Sequence, residues 1–269
     1  MELAVAATAP FGAAVLEGLA ARHDVELLVT RPDRPRGRGR RRGAPPAKEA
    51  AERLGIPVEQ PERLTSFPGR APVVVVAAYG ALVPAELLDE RLWLNVHPSL
   101  LPRWRGAAPV ERAIMAGDAE TGVTIHRTTP ELDAGPIAGR RAFSIGAEDD
   151  AGVVYERAVR VALDVLGDVL AEPRFHPQPN IGVTYAEKIR PEDRILDWTR
   201  PPAELVNRVR ALSPHIGAWG IVDGRRLTVW RARPALESST LVAGGVELLE
   251  VQPEGRRRMT AAEYLHGRR

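Results

Sequence analysis

A chain of 269 residues, of which 44% are hydrophobic and 27% charged, is long enough for one large folded domain and a small one. No stretch approaches the roughly 18 apolar residues of a membrane span. The first residues also lack the basic segment of a signal peptide, so we expect a cytoplasmic protein without membrane association. The absence of cysteine excludes disulfides and thiolate metal sites, and a net charge of +2 does not by itself indicate a nucleic-acid partner.

The amino-terminal segments predict a β-α-β unit. Apolar strands are predicted over residues 3–7 and 25–29, and a helix with one apolar side is predicted over residues 11–22. Such a unit forms a parallel sheet with a right-handed crossover. The turn over residues 6–11 has no GxGxxG pattern, so the sequence does not support a dinucleotide site.

An arginine-rich segment follows, with arginines at positions 31, 34, 36, 38, 40, 41 and 42. The glycines and prolines between them predict a loop without regular structure. Charge runs of this kind are usually solvated surface loops. The functional alternative is a phosphate clamp, because a guanidinium group makes paired hydrogen bonds to phosphate oxygens.

A helix is predicted over residues 47–54 and a strand buried on both faces over residues 73–78. The turn after this strand contains Tyr79, Gly80 and Leu82. Gly80 would allow the backbone to approach a ligand closely. A plain strand-to-helix turn explains the local sequence equally well.

The apolar run over residues 92–96 predicts a further strand whose end carries Asn95 and His97. Side chains two residues apart in a strand point to the same face, and Pro98 ends the strand because it has no N–H group. An amide and an imidazole therefore meet at the carboxyl end of a buried strand, where α/β sheets bind ligands. Taken alone, the two residues are better explained as a capping asparagine and a surface histidine.

The rest of the chain predicts a second, mainly antiparallel region after a proline-spaced linker. Asp133 lies in a turn, and turns commonly use aspartate for backbone hydrogen bonds. Asp223 and Gly224 predict a hairpin. Helices are predicted over residues 109–116, 150–170, 201–212 and 260–265, and strands over residues 122–126, 217–222, 227–231 and 246–251. The remaining histidines are interpreted as structural or surface residues, since none has a second ligand at metal spacing: His23, His126, His176, His215 and His266.

The run NVHPSLLPRWRGAAP, residues 95–109, resembles the signature of the folate-dependent formyltransferases, in particular those that act on methionyl-tRNA. The loop LDAGP at residues 132–136 and the segments TYAEKI and ILDW, which begin at Thr184 and Ile195, resemble the same family. So does the arginine-rich segment, which in that family reaches the acceptor stem of tRNA.

The resemblance implies an α/β fold of two domains. A Rossmann-like formyltransferase domain with a mostly parallel sheet is expected over residues 1–175, a linker over residues 176–192, and a small OB-like β-barrel that binds tRNA over residues 193–269. The interval between Pro234 and Val246 is short compared with that of the family. A shortened C-terminal barrel is therefore expected.

The resemblance also implies roles for individual residues. The implied catalytic residues are Asn95, His97 and Asp133. The residues implied to hold the folate are Ser99, Leu100, Leu101, Pro102, Tyr79, Gly80 and Leu82. The residues implied to contact tRNA are Arg34, Arg36, Arg38, Arg40 and Arg41. The chemistry requires no metal ion.

The implied reaction is transfer of a formyl group from 10-formyltetrahydrofolate to the α-amine of initiator methionyl-tRNA by a monomeric enzyme. Asn95 and a protonated His97 suit the developing oxyanion, while Asp133 would hold His97 charged and help relay a proton. Three alternatives remain: a formyltransferase acting on an amino-sugar nucleotide, a formyltetrahydrofolate hydrolase, and a tRNA-binding protein without catalysis. The arginine-rich segment and the barrel argue against the first, and the intact catalytic residues argue against the third.

Overall fold

The computed structural model describes residues 1–36 and 41–267. The chain forms two compact units. The first unit comprises Met1–Arg105, Gly122–Ala142 and Glu156–Thr184, and the second comprises Gly106–Thr121, Phe143–Tyr155 and Tyr185–Arg269. No helix in the part of the chain that is described is long and apolar enough to cross a membrane.

The secondary structure alternates strands and helices in the first half and is richer in strands afterwards. The strands are β1 Glu2–Ala7, β2 Asp24–Val29, β3 Arg34–Arg36, β4 Arg41–Gly43, β5 Val58–Glu59, β6 Val73–Ala77, β7 Leu92–His97, β8 Arg105–Gly106, β9 Glu120–Arg127, β10 Ile137–Ser144, β11 Tyr185–Ala186, β12 Ala218–Val222, β13 Arg225–Pro234, β14 Val242–Ala243, β15 Val246–Pro253 and β16 Met259–Thr260. The helices are α1 Pro10–Ala20, α2 Pro46–Leu54, α3 Ala85–Glu90, α4 Pro109–Met115, α5 Ala151–Ala171, α6 Pro202–Leu212 and α7 Ala261–His266. A 3-10 turn spans Glu192–Arg194.

The first unit is organised around a seven-stranded sheet in the order β10-β9-β7-β6-β1-β2-β5. The strands from β7 to β5 pair in parallel, and β9 pairs antiparallel to β7. The mostly parallel sheet and the β-α-β opening are thus confirmed. The chain order reverses beside β1, since β2 lies on one side and β6 on the other, and such a point opens a crevice at the carboxyl ends of the strands.

The start of β7 is fixed by the apolar core of this unit. Trp93 is completely buried, and its indole N–H donates to the backbone oxygen of Leu87 at 2.8 Å. The ring of Phe67 packs edge-on against it, with centroids 5.6 Å apart. β6 is buried along its whole length, as expected from its continuous apolar run. This packing holds β7 in place and with it the polar residues at its end.

The expectation that the arginine-rich segment has no regular structure is wrong for its ends. β3 and β4 pair antiparallel as a two-stranded ribbon, with Pro35 opposite Arg42. A ribbon of this kind tolerates proline, because the outward-facing side of an edge strand needs no N–H donor. At its base, the Asp33 carboxylate accepts hydrogen bonds from Lys48 at 3.0 Å and Gln60 at 2.8 Å. Arg38 and Arg40 lie outside the described residues.

The second unit contains a curled antiparallel sheet in the order β12-β13-β15-β14, with β16 also paired to β15. The predicted hairpin joins β12 and β13, and both turn residues have positive φ, +49° at Asp223 and +73° at Gly224, as such tight turns require. The register shifts around Arg231 bend β13. Among the described residues these strands form one open path, in agreement with the shortened OB-like domain expected.

Candidate active site

Asn95 and His97 lie two residues apart at the end of β7, where strand alternation directs their side chains to one face. Asn95 is partly buried, and His97 is only 4% exposed. The strand ends at His97 because Pro98 has no N–H group to continue the ladder. β7 therefore delivers an amide and an imidazole to the edge of the sheet at which α/β folds bind ligands.

Asp133 lies in the loop between β9 and β10. Its φ of +47° is left-handed, a conformation that costs a non-glycine residue about 1–3 kcal/mol and that is concentrated at functional sites. Two residues later, a Cβ on Gly135 would lie 1.8 Å from the backbone oxygen of Arg127, so only glycine fits there. The loop is thus a tight turn, and the Asp133 carboxylate faces the end of β7.

The Asp133 carboxylate contacts both polar residues of β7. Its Oδ1 accepts a hydrogen bond from Nδ2 of Asn95 at 3.0 Å, and its Oδ2 lies 3.6 Å from Nδ1 of His97. The second distance is too long for a direct hydrogen bond, but a carboxylate this close still acts on the ring through its charge. The structure therefore brings together the three residues that the resemblance implies as catalytic.

The environment of His97 determines which ring nitrogen carries the proton. Nε2 lies 2.8 Å from the backbone oxygen of Trp104. Since a carbonyl only accepts, Nε2 carries the proton and the lone pair of the neutral ring lies on Nδ1, toward Asp133. Trp104 presents this oxygen from a left-handed backbone, with φ of +64°.

Burial lowers the pKa of His97 below its ordinary value and outweighs the opposing effect of the Asp133 carboxylate. The neighbouring His126 lowers the pKa of His97 further, and the hydrogen bond to Trp104 raises it. The neutral form of His97 is therefore favoured in the free protein more than in an ordinary histidine. The sequence had led us to expect that Asp133 keeps this ring charged.

A second buried histidine completes the cluster. His126, on β9, lies directly opposite Asn95 in the ladder and is 1% exposed. Its Nδ1 donates to the backbone oxygen of Arg127 at 3.0 Å, so its Nε2 is the acceptor and receives a hydrogen bond from Asn95 Nδ2 at 3.1 Å. Sequence reasoning interpreted His126 as structural or surface. The sequence did offer a signal for His126, since this residue lies at the end of an apolar run, as His97 does.

The amide of Asn95 is consequently engaged through both of its protons. One is donated to His126 Nε2 and the other to Asp133 Oδ1. An amide nitrogen has two protons, so donation to a ligand oxygen requires that one of these bonds be exchanged. His126 Nε2 also lies 3.6 Å from Asp133 Oδ1. The four side chains thus form one connected polar cluster within the first unit.

The residues implied to hold the folate fall on two turns that follow neighbouring parallel strands, β6 and β7. On the β6 turn, Gly80 has φ of +73° and Leu82 is 84% exposed, whereas the Tyr79 side chain is buried. On the β7 turn, the side chains of Ser99 and Leu101 are fully buried. Leu100 is partly buried, and Pro102 is buried. Ser99 and Leu101 therefore shape the loop rather than present their side chains to solvent.

A cleft of about 350 Å³ lies beside the β6 turn. Its apolar walls include Leu64 and Leu82, and two cationic residues, Arg31 and Arg63, also line it. Among the residues implied to contact tRNA, Arg34 and Arg36 lie on β3 and Arg41 lies on β4. Within residues 1–36 and 41–267, no group of three or more His, Asp and Glu is arranged to hold a metal ion.

Sequence comparison matches two ranges of the chain to known protein families. A family described as formyl transferase matches residues 1–170, and one described as formyl transferase, C-terminal domain, matches residues 188–269. The methionyl-tRNA formyltransferase of Paracoccus denitrificans (strain Pd 1222) is 42% identical to this chain, in an alignment that covers 97% of this chain and 95% of that protein.

Structural comparison gives the same fold at lower sequence identity. HypX from Aquifex aeolicus, solved in complex with tetrahydrofolic acid, superposes with a TM-score of 0.68 at 18% identity. The match covers 98% of this chain, which spans 46% of the HypX chain. The methionyl-tRNA formyltransferase from Clostridium thermocellum superposes with a TM-score of 0.63 at 15% identity, with 93% of this chain and 99% of that chain covered.

Proposed function

The chain belongs to the formyl transferase family, and we propose that it transfers a formyl group from 10-formyltetrahydrofolate to the free amino group of initiator methionyl-tRNA. The product is N-formylmethionyl-tRNA, which serves translation initiation. The observation that carries the proposal is the cluster of Asn95, His97 and Asp133 in a chain of this family.

Asn95 stabilises the charge that develops on the formyl oxygen. When the amine attacks the formyl carbon, a new C–N bond forms and the carbonyl oxygen becomes an oxyanion, which donors aimed at it stabilise. Asn95 supplies such a donor by exchanging its bond to His126 or to Asp133 for one to the oxygen. The partner whose bond is not exchanged, either the Asp133 carboxylate or the His126 imidazole, then keeps the remaining amide proton in place.

His97 and Asp133 move the proton that the reaction transfers. The attacking amine loses a proton, and N10 of the folate gains one as its bond to the formyl carbon breaks. A neutral His97 with its lone pair on Nδ1 accepts this proton directly or through water, and the adjacent Asp133 carboxylate stabilises the resulting imidazolium. A base of lowered pKa releases the proton readily to the leaving nitrogen.

The folate is assigned to the turns after β6 and β7, with Tyr79, Gly80, Leu82 and Ser99–Pro102 as the lining segments. Both turns follow carboxyl ends of adjacent parallel strands, which supports one continuous binding site. The cleft beside Leu82 combines apolar walls with Arg31 and Arg63, and Glu62 also lines it. The apolar walls support the placement of a flat ring system there, and the two arginines support the placement of carboxylates.

The tRNA is assigned to the arginine-rich segment and to the C-terminal domain. Arg34, Arg36, Arg38, Arg40 and Arg41 are proposed to contact the acceptor stem through its phosphates. The domain boundaries proposed remain residues 1–175, 176–192 and 193–269. We also propose that the enzyme is monomeric and cytoplasmic.

A single assay tests the proposed function against its alternatives. The protein is incubated with 10-formyltetrahydrofolate and one of three acceptors: charged initiator tRNA, an amino-sugar nucleotide, or buffer alone. Formylation of the tRNA alone is the expected result. Formylation of the nucleotide, release of formate in buffer, or tRNA binding without turnover would each replace the proposal with the corresponding alternative.

A further inference from the structure

A segment that sequence analysis assigned to the linker contacts the loop that carries Asp133. After α5 the chain runs back along β10, and His176 forms an antiparallel bridge with Ile137, with hydrogen bonds of 2.8 and 2.9 Å. Two residues later, the side chain of Gln178 reaches the Asp133 loop. Residues up to Thr184 belong to the first unit.

Gln178 holds the loop on both sides of its tight turn. Its Nε2 donates to the backbone oxygen of Asp133 at 2.7 Å and to that of Gly135 at 2.8 Å. The two protons of one amide thereby bridge the ends of the turn whose first residue has a left-handed φ of +47°. These bonds offset part of the backbone strain.

Arg105 determines the orientation of this amide. The Oε1 of Gln178 accepts from Nε of Arg105 at 3.2 Å and from Nη2 at 2.7 Å. Because a guanidinium group only donates, the oxygen of Gln178 must face Arg105 and the nitrogen must face the two carbonyls. Arg105 is the first residue of β8, at the end of the loop that follows His97, so the bridge connects the two loops around the catalytic cluster.

The same segment also holds the other loop. The side-chain oxygen of Thr184 accepts from the backbone N–H of Trp104 at 2.9 Å, and its backbone oxygen accepts from the N–H of Arg105 at 2.9 Å. The backbone oxygen of Trp104 in turn accepts from His97. The residues between 176 and 184 therefore contact both backbone segments that orient the reacting side chains.

We propose that Gln178, oriented by Arg105, is a positioning residue that holds the Asp133 loop in the conformation that presents its carboxylate to Asn95 and His97. The proposal rests on the proposed function for the identity of the reaction. It assigns Gln178 no contact with substrate. Its effect is expected in turnover rather than in substrate binding, because a displacement of about 1 Å at a reacting group costs about a hundredfold in rate.

The test uses two substitutions of Gln178, one that removes only the hydrogen bonds it donates and one that removes all of its side-chain hydrogen bonds. Gln178→Glu keeps the size of the side chain and the contact with Arg105 but has no proton to donate to the two carbonyls. Gln178→Met keeps the size and removes all the bonds. We expect kcat to fall about tenfold to a hundredfold in both variants, with KM for both substrates changed less than about threefold. Arg174→Ala, just before this segment, is the control, because Arg174 pairs with Glu172 at the surface, where an ion pair contributes little.

A second readout uses the free protein and does not depend on the reaction. The titration of His97, followed by NMR with labelled histidine, reports the distance of the Asp133 carboxylate, which raises the pKa of His97. Asp133→Asn marks complete loss of that charge, and Gln178→Met, which adds no charge of its own, should lie between it and the wild type. Failure of the wild type to formylate methionyl-tRNA would refute the proposed function and leave this titration to decide the positioning role.

Two results would overturn the positioning role. One is a kcat of Gln178→Glu within about twofold of the wild type, which is below the loss expected for a displaced reacting group. The other is a loss of turnover explained entirely by a smaller folded fraction, with the His97 titration identical to that of the wild type. Thermal unfolding of each variant gives the folded fraction.

Discussion

At the scale of single residues, the role of each side chain in the cluster depends on the atom that its neighbours leave available. Trp104 occupies Nε2 of His97, so Nδ1 is the nitrogen available for proton transfer. Arg127 occupies Nδ1 of His126, so Nε2 accepts from Asn95. These hydrogen bonds determine the tautomer of each ring, and the tautomer determines which ring nitrogen can accept a proton.

Alanine substitutions test the assigned roles. His97→Ala and Asp133→Ala should lower kcat at least about a hundredfold, because each removes a group that transfers or stabilises the proton. Asn95→Ala should cost about a hundredfold as the loss of one oxyanion donor. His215→Ala is the histidine control, since this residue is exposed in the second unit. Near-normal turnover in a folded His97→Ala protein would remove His97 from the mechanism.

The lowered pKa of His97 also predicts a dependence of stability on pH. The unfolded chain takes up a proton on this ring at about pH 6.5, whereas the folded protein takes it up only at lower pH. Between the two values the unfolded state binds more protons, so the free energy of unfolding falls as pH falls. The contribution of one such group is at most about 1.4 kcal/mol per pH unit.

Denaturant unfolding of the wild type and of His97→Gln at several pH values between about 5 and 7 measures this contribution, because the window lies just below the unfolded pKa. The wild type should lose more stability toward acid than the variant does. The pKa of His23 is also lowered by its burial, but this residue is present in both proteins and its effect cancels. Equal slopes for the two proteins would show that the folded state binds the His97 proton as readily as the unfolded state does.

At the scale of elements, the described ends of the arginine-rich segment pair as the β3–β4 ribbon, and Asp33, Lys48 and Gln60 are hydrogen-bonded at its base. Gln60 also donates to the backbone oxygen of Arg31 at 2.8 Å. The base of the segment is therefore attached to the first unit by hydrogen bonds of Asp33, Lys48 and Gln60.

Removing two charges of the arginine-rich segment should weaken tRNA binding and reduce its dependence on salt. Each phosphate contact releases counterions, so Arg38→Ala combined with Arg40→Ala should flatten the slope of log affinity against log salt by about one to two units. Thermal stability should hardly change, because arginine charges in a glycine- and proline-rich stretch of sequence are expected to contribute little to folding.

The control for this experiment removes the same charge elsewhere. Arg160→Ala combined with Arg174→Ala takes two arginines from exposed positions on and after α5. Its salt slope should match that of the wild type. If the slopes and affinities of all three proteins coincide, the arginine-rich segment is ordinary solvated surface, and tRNA binding would be assigned to the C-terminal domain alone.

At the scale of the whole molecule, the residues proposed as catalytic and the residue proposed to position them come from one unit of the chain. Asn95, His97, His126 and Asp133 all belong to the first unit, and so does Gln178. A second copy of the protein contributes nothing to the proposed mechanism. The assembly state should therefore have no influence on turnover.

Dilution tests this expectation. Specific activity should stay constant as the enzyme is diluted from micromolar to nanomolar concentration, and light scattering should give a mass near 29.3 kDa. Dilution shifts any dimer toward monomer by mass action. A loss of specific activity on dilution, reversed on concentration, would contradict the monomer proposed.

The sequence by itself determined the features that depend on nearby residues. The alternation of a strand placed Asn95 and His97 on one face, and the hydrophobic pattern predicted the parallel sheet and most helices. Asp223 and Gly224 predicted their hairpin because only a few residue types accept positive φ. Asp133 was implied by the resemblance of its loop to the family motif, since the local pattern indicated only a turn.

Only the tertiary structure decided the contacts between residues that are far apart in the chain. The antiparallel pairing of β9 with β7 places His126 opposite Asn95, and this register is not encoded in either strand alone. The same holds for Gln178, whose partners lie more than forty positions earlier in the chain. The tertiary structure also decides the direction of the pKa shift of His97. Burial depends on all the residues packed around the ring, and its effect on the pKa outweighs that of the Asp133 carboxylate.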